Sequence, residues 1–143
     1  MSAAIHPVGE PQRGAAPLNP ACIACGRENP HGLRLRFENK GQMVASDWIP
    51  SEGWQGFRGV IHGGVVATVL DEAMSKAVVA RGWEALTAEL TIRLRKRVAP
   101  GERLTVLGMV VSKRKREIRA EASLRDGGGG ERAHAWAKFL VLR

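Results

Sequence analysis

The sequence predicts an α+β domain in which an antiparallel sheet of about six strands curls around one long, buried helix. From about Val65 to Arg81 the apolar residues follow a helical period: Val66, Val69, Leu70, Ala73 and Ala77 share one stripe, and Val65, Met74, Val78 and Val79 cover other directions. A helix apolar on most sides is a buried helix. Two strand-like stretches precede it and four follow, giving the order β-β-α-β-β-β-β.

The elements follow in order. Residues 1–20 hold four of the seven prolines, Pro7, Pro11, Pro17 and Pro20. Such a stretch buries too little apolar surface to offset its ordering entropy, so a flexible tail is expected, with the folded domain spanning 21–143. Leu33, Leu35 and Phe37 alternate with Arg34 and Arg36 as a half-buried strand does, Gly41 marks a turn, and a second strand runs from Met43 to Ile49, stopped by Pro50. After the helix, Gly82 supplies the stop signal. Ala88, Leu90, Ile92 and Leu94 then face one way, and Thr87, Glu89, Thr91 and Arg93 the other. Leu104 to Val111 is apolar on both faces, which suits a central strand. Ile118 to Arg125 alternates again, Asp126 and Gly127–Gly130 form a hairpin loop, and the last strand covers about Arg132 to Leu142.

Composition bounds the function. With 143 residues the chain can bury a core without metal or disulfide staples. Its 22 Lys and Arg against 14 Asp and Glu give a net charge of +8, which favours an anionic partner. Aromatics are 5% and Tyr is absent, so stacking platforms for single-stranded nucleic acid are scarce, and a phosphorylated small ligand fits better. No apolar run reaches the length of a membrane span, and no secretory pattern opens the chain; a cytoplasmic protein with no membrane partner is expected. Cys22 and Cys25 need not be paired in a reducing compartment. As a Cys-x-x-Cys motif they lack the second pair that a zinc site needs, His31 fits as a third ligand only by stretching the spacing, and no metal site is expected.

The chemistry concentrates in Trp54-Gln55-Gly56-Phe57-Arg58-Gly59-Val60-Ile61-His62-Gly63-Gly64, which runs straight into the helix. A Gly-rich loop at a helix N-terminus leaves backbone N–H groups free to polarise a substrate oxygen. Two turns on, the helix carries Asp71, on the side roughly opposite the Val66 and Leu70 stripe. Gly63 and Asp71 are eight residues apart, about 12 Å at 1.5 Å per residue, so one carbonyl cannot touch both. If both act on one substrate, the acid comes from a second copy of the chain.

His-Gly-Gly, with an acid nine residues after the His, resembles the signature of hotdog-fold thioesterases of the PaaI-like type. The resemblance covers about residues 22–142, is most specific at 54–72 and 86–92, and implies the curled sheet around a central helix. It further implies hydrolysis of an acyl-CoA thioester to acid and free CoA, at sites shared between the subunits of a homodimer that can pair into a tetramer. No cofactor is implied beyond the coenzyme A of the substrate. By position in the motif, Gly63 is the oxyanion-side donor, Asp71 the nucleophile or general base, and His62 the residue that shapes the loop. Thr87 matches a Thr that helps hold the attacking water, and Gln55 and Gly64 are assigned to substrate binding. Glu72, turned 100° from Asp71, is read as structural. Two departures stand out: Gly56 occupies the place where many such enzymes have Asn, and the strand that often ends in Tyr-Lys-Arg-Pro reads Leu94-Arg95-Lys96-Arg97. The basic runs 93–97 and 113–116 are candidates for the nucleotide phosphates of CoA. Rival readings are a non-catalytic hotdog module that binds acyl-CoA and a basic nucleic-acid-binding module. The acyl group is not encoded in any motif of the sequence.

Overall fold

A computed structural model of the chain describes residues 19–142. Most of the expected tail, including Pro7, Pro11 and Pro17, lies outside the described residues. Six strands and one long helix follow one another as β1 (Glu38–Lys40), β2 (Met43–Trp48), α1 (Gly63–Ala80), β3 (Ala85–Leu94), β4 (Leu104–Arg114), β5 (Glu117–Arg125) and β6 (Glu131–Val141). All are antiparallel in one open sheet of order β1-β2-β4-β5-β6-β3, curled around α1 in the hotdog arrangement.

The helix is enclosed as its sequence requires. Val66, Val69, Leu70, Ala73, Met74, Ala77 and Val78 are all buried, against an inner sheet face that includes Val106, Ile118, Leu124, Ala135 and Phe139. Close approach of helix and sheet depends on one glycine. A Cβ at Gly108 in β4 would lie 2.2 Å from the carbonyl oxygen of Ala73, so a side chain there cannot coexist with this packing. At the helix end Gly82 adopts φ +83° and donates its N–H to Val79 O at 2.9 Å, closing the last turn as a left-handed cap.

The first strand lies elsewhere than the alternation indicates. Leu33, Leu35 and Phe37 are buried, as their period of two requires. However, the Leu33 and Leu35 N–H groups bond Ile23 O at 2.7 Å and Ala24 O at 3.0 Å, and Arg34 takes φ +58°. The backbone hydrogen bonds go to the Cys-x-x-Cys turn, and ladder pairing with β2 begins only at Glu38. Side-chain periodicity reports which way residues face, and is silent about which backbone they pair with.

Candidate active site

The loop before α1 is a small, internally bonded hairpin. Gln55 and Ile61 form a β-bridge; Gly56 N–H bonds Val60 O at 2.9 Å, and Val60 N–H bonds Phe57 O at 3.0 Å. Two further bonds anchor it: Ile61 N–H to Val98 O at 2.7 Å, and His62 N–H to Trp54 O at 2.9 Å. The Gln55 side chain is spent on the loop, donating to Glu52 O at 2.9 Å and accepting from Gly59 N–H at 2.6 Å. Its placement is that of a loop brace. Gly56 packs against the His62 ring, where a Cβ would come within 3.2 Å of Cδ2.

His62 is the N-cap of α1. Its Nδ1 accepts the Gly64 N–H at 2.9 Å, and its carbonyl receives the Val65 and Val66 N–H groups. The Gly64 donor is therefore engaged by the histidine. Gly63, the first helical residue, has no carbonyl four residues back within the helix for its own N–H, which sits at the positive end of the helix dipole. Accepting at Nδ1 leaves the proton of the neutral His62 ring on Nε2.

Asp71 is half-buried and faces β3, where Thr87 Oγ1 donates to its Oδ1 at 2.7 Å. Strict alternation puts Thr87 on the face opposite Leu90, away from the helix. The structure places it on the helix side, because β3 carries a bulge between Thr87 and Glu89. Thr87 pairs with the buried Phe139 and Leu90 with the buried Ala137, so both point inward, and the extra residue Ala88 absorbs the change of parity. The far end of β3 reaches the helix N-terminus, where Leu94 Cδ1 lies 3.0 Å from the position of a Cβ at Gly63. The inward face of β3 thus runs from the Asp71–Thr87 pair to the Gly63 donor.

The site thus combines a His-capped helix N-terminus with a helix acid held by a strand threonine. The family profile of the thioesterase superfamily matches residues 58–133, just over half of the sequence. The chain belongs to the thioesterase superfamily. No curated protein matches it. A solved thioesterase superfamily protein shares 26% identity and a TM-score of 0.81 over 84% of this chain; the match spans 60% of that protein's length. The PaaI protein of E. coli shares 16% identity and a TM-score of 0.72, covering 78% of this chain and 81% of its own. A hypothetical thioesterase protein from Streptococcus pneumoniae, solved with coenzyme A, shares 18% identity and a TM-score of 0.71, covering 75% of this chain and 87% of its own. That protein has also been solved with an Asp and, separately, a Thr changed to Ala, the two positions being sixteen residues apart.

Glu72 is not merely the neighbour of Asp71. It faces the Cys-x-x-Cys turn and forms an ion pair with the buried Lys76 at 3.7 Å. Burial, then a hydrogen bond to Glu72, pushes the Cys25 thiol up to about 12. Sequence spacing could not show this, because the turn and the helix are brought together only by folding. At the other end of the loop, Arg132 holds Glu102 at 2.8 Å and Asp126 at 2.9 Å, and its hydrogen bonds keep both carboxyls below their ordinary range. Beside this cluster Arg58, Lys96 and Arg97 line an open cavity of about 740 Å³. The second basic run is used locally: Lys113 bonds Lys115 O and lies over the Trp83 ring, and Arg116 bonds Val141 O. No described helix is long and apolar enough to cross a membrane.

Proposed function

We propose that the protein is an acyl-CoA thioesterase whose two sites are each shared between the subunits of a homodimer. The observation that carries this is the Asp71–Thr87 hydrogen bond, which joins the helix acid to a hydroxyl at 2.7 Å on an otherwise apolar inner strand face. With its O–H donating a hydrogen bond to Asp71, the Thr87 hydroxyl keeps lone pairs to receive a hydrogen bond from water. The second carboxylate oxygen of Asp71 takes the water's proton as the oxygen attacks the thioester carbon. The Gly63 N–H, at the positive end of the partner's helix, stabilises the charge that develops on the carbonyl oxygen. Collapse of the tetrahedral intermediate expels the CoA thiolate, a good leaving group. The same sixteen-residue Asp-to-Thr spacing in the variants of the S. pneumoniae protein supports assigning the pair as a unit.

The dimer reading draws on β3. It is a ten-residue edge strand with unpaired backbone on one side, and it exposes Leu86 and Leu94 to 62% and 55%. A long, apolar, uncovered edge is a template for another strand. Antiparallel pairing of two β3 strands about a twofold axis near Leu90 sets the Leu94 end of one beside the Thr87 end of the other. Since Leu94 marks Gly63 and Thr87 marks Asp71, that one operation brings the donor of each chain to the acid of its partner. The outer sheet face, with Val111, Trp136 and Leu140 exposed, suits further pairing of dimers. Arg58, Lys96 and Arg97 at the mouth of the loop are the cations best placed for CoA phosphates. A cytoplasmic location, where acyl-CoA is formed, is part of this proposal.

The test is hydrolysis of a panel of acyl-CoAs by the wild type and Asp71→Asn. Loss of the general base lowers kcat by about 10²–10⁴-fold on the preferred substrate. Equal and negligible rates for both proteins, with CoA esters still bound, would leave a binding module in place of an enzyme.

A further inference from the structure

A second cluster of chemically capable groups lies about 100° around α1 from Asp71, and the proposed hydrolysis does not use it. The sulfur atoms of Cys22 and Cys25 and a carboxylate oxygen of Glu72 all lie within 4.8 Å of one another, and all three residues are half-buried. Both cysteines are free thiols. The two halves of this cluster come from distant parts of the sequence: the cysteines from the turn after Pro20, the acid from the third turn of the helix. His31, the third ligand that the sequence suggests, is exposed and outside the cluster.

The turn that presents the sulfurs is built tightly. Gly26 N–H bonds Cys22 O at 2.9 Å, Cys22 N–H bonds Asn19 O at 3.0 Å, and Glu28 N–H bonds Pro20 O at 2.9 Å. A Cβ at Gly26 would lie 2.4 Å from both Cys22 N and Pro20 O, so only glycine permits the chain to fold back here. Two thiolates and a carboxylate suit a zinc-type ion, with bonds of about 2.3 Å to sulfur and 2.0–2.2 Å to oxygen. Tetrahedral ligation then needs sulfurs about 3.8 Å apart, a contraction of at most about 1 Å from the present separation. Charge also balances. Two thiolates and Glu72 contribute three negative charges, and the ion together with the Lys76 ammonium, buried and 3.7 Å from Glu72, contributes three positive ones. A cavity of about 510 Å³ reaches the cluster on its Cys25 and Lys76 side and has room for a water.

We propose that Cys22, Cys25 and Glu72 bind one divalent zinc-type ion, completed by a water, and that the ion clamps the 19–37 segment to α1 one residue beyond Asp71. Binding replaces the thiol protons by metal, releases them to solvent and changes no oxidation state. The ion fixes the helix turn that carries the acid and takes no part in the attack on the thioester.

The test uses the full chain, reduced and stripped with a chelator, titrated with Co²⁺ and then Zn²⁺. One Co²⁺ per chain gives thiolate-to-metal charge-transfer absorption, and Zn²⁺ displaces it. Cys22→Ser and Cys25→Ser each weaken Zn²⁺ binding about 100-fold or more, Glu72→Gln about 10-fold or more, and His31→Ala leaves it unchanged. Because a cysteine variant can fail to fold, the wild type supplies an independent reading: Zn²⁺ protects both thiols from alkylation and raises the melting temperature. Absence of the charge-transfer band at stoichiometric metal overturns the proposal, and so does binding that survives Cys25→Ser, follows His31 in place of Glu72, or leaves the thiols open to alkylation. All these readouts are independent of thioesterase activity.

Discussion

Replacing Gly63 by proline removes one hydrogen-bond donor and leaves the helix intact. Gly63 is the first residue of α1, where a proline fits because its missing N–H has no helical partner to lose. The preceding residue also suits it: His62 has φ −57° and ψ 133°, the extended conformation that a residue before proline prefers. The only close neighbour of a new Cβ is the tip of the exposed Leu94 side chain, 3.0 Å away and free to move. Gly63→Pro should therefore fold, with unchanged circular dichroism, and lose the oxyanion donor alone. Loss of one such donor costs about 10²–10³-fold in kcat, about 2.7–4 kcal/mol of transition-state stabilisation. Gly63→Ala keeps the N–H and should stay within about threefold of the wild type. Complementation tests the sharing of sites. When Gly63→Pro and Asp71→Asn chains are mixed and allowed to exchange, each heterodimer has one site with both groups intact and one with neither. Random exchange makes about half the dimers mixed, so about a quarter of wild-type activity returns from two inactive proteins. If no activity returns under demonstrated subunit exchange, or if Gly63→Pro turns over at the wild-type rate, the reasoning from helix geometry to a shared site fails.

Other consequences are equally direct. Thr87→Val deletes the hydroxyl that bonds Asp71 at 2.7 Å; a hydrogen bond to a charged group is worth about 1.5–3 kcal/mol, so kcat should fall about 10–100-fold with KM little changed, and Thr87→Ser should recover most of it. Gly108→Ala forces a methyl to within 2.2 Å of the Ala73 carbonyl oxygen and should destabilise the fold by about 1–3 kcal/mol, read as a lower urea midpoint at constant slope. Arg132 holds Glu102 and Asp126 below their ordinary values of 4.5 and 3.8, so the stabilisation is fully present above those values and is lost as pH falls through the depressed ones. The melting temperature should drop as pH falls below those ordinary values, and drop less in Arg132→Met, where only the backbone N–H bonds from Ala99, Gly128 and Gly130 still lower the two carboxyls. An equal drop in both proteins would remove Arg132 as the cause.

Element order, the enclosure of α1 and the Gly-rich entry to its N-terminus are legible along the chain. These are local properties: the helical period of Val66 to Val79, the glycine after the helix, and a capping histidine beside two glycines act within a few residues of one another. Even Leu33, Leu35 and Phe37 face inward as their alternation requires, although their backbone bonds go to the Cys-x-x-Cys turn and the strand starts five residues later. Whatever depends on parity or on distant partners is set only when the chain folds. One inserted residue, Ala88, turns Thr87 from the outer face to the inner one, because in a strand of period two a single extra residue reverses every side chain beyond it. Likewise Glu72 meets Cys22 and Cys25 only when a turn almost fifty residues earlier folds against the helix, a contact between segments that no spacing along the chain encodes.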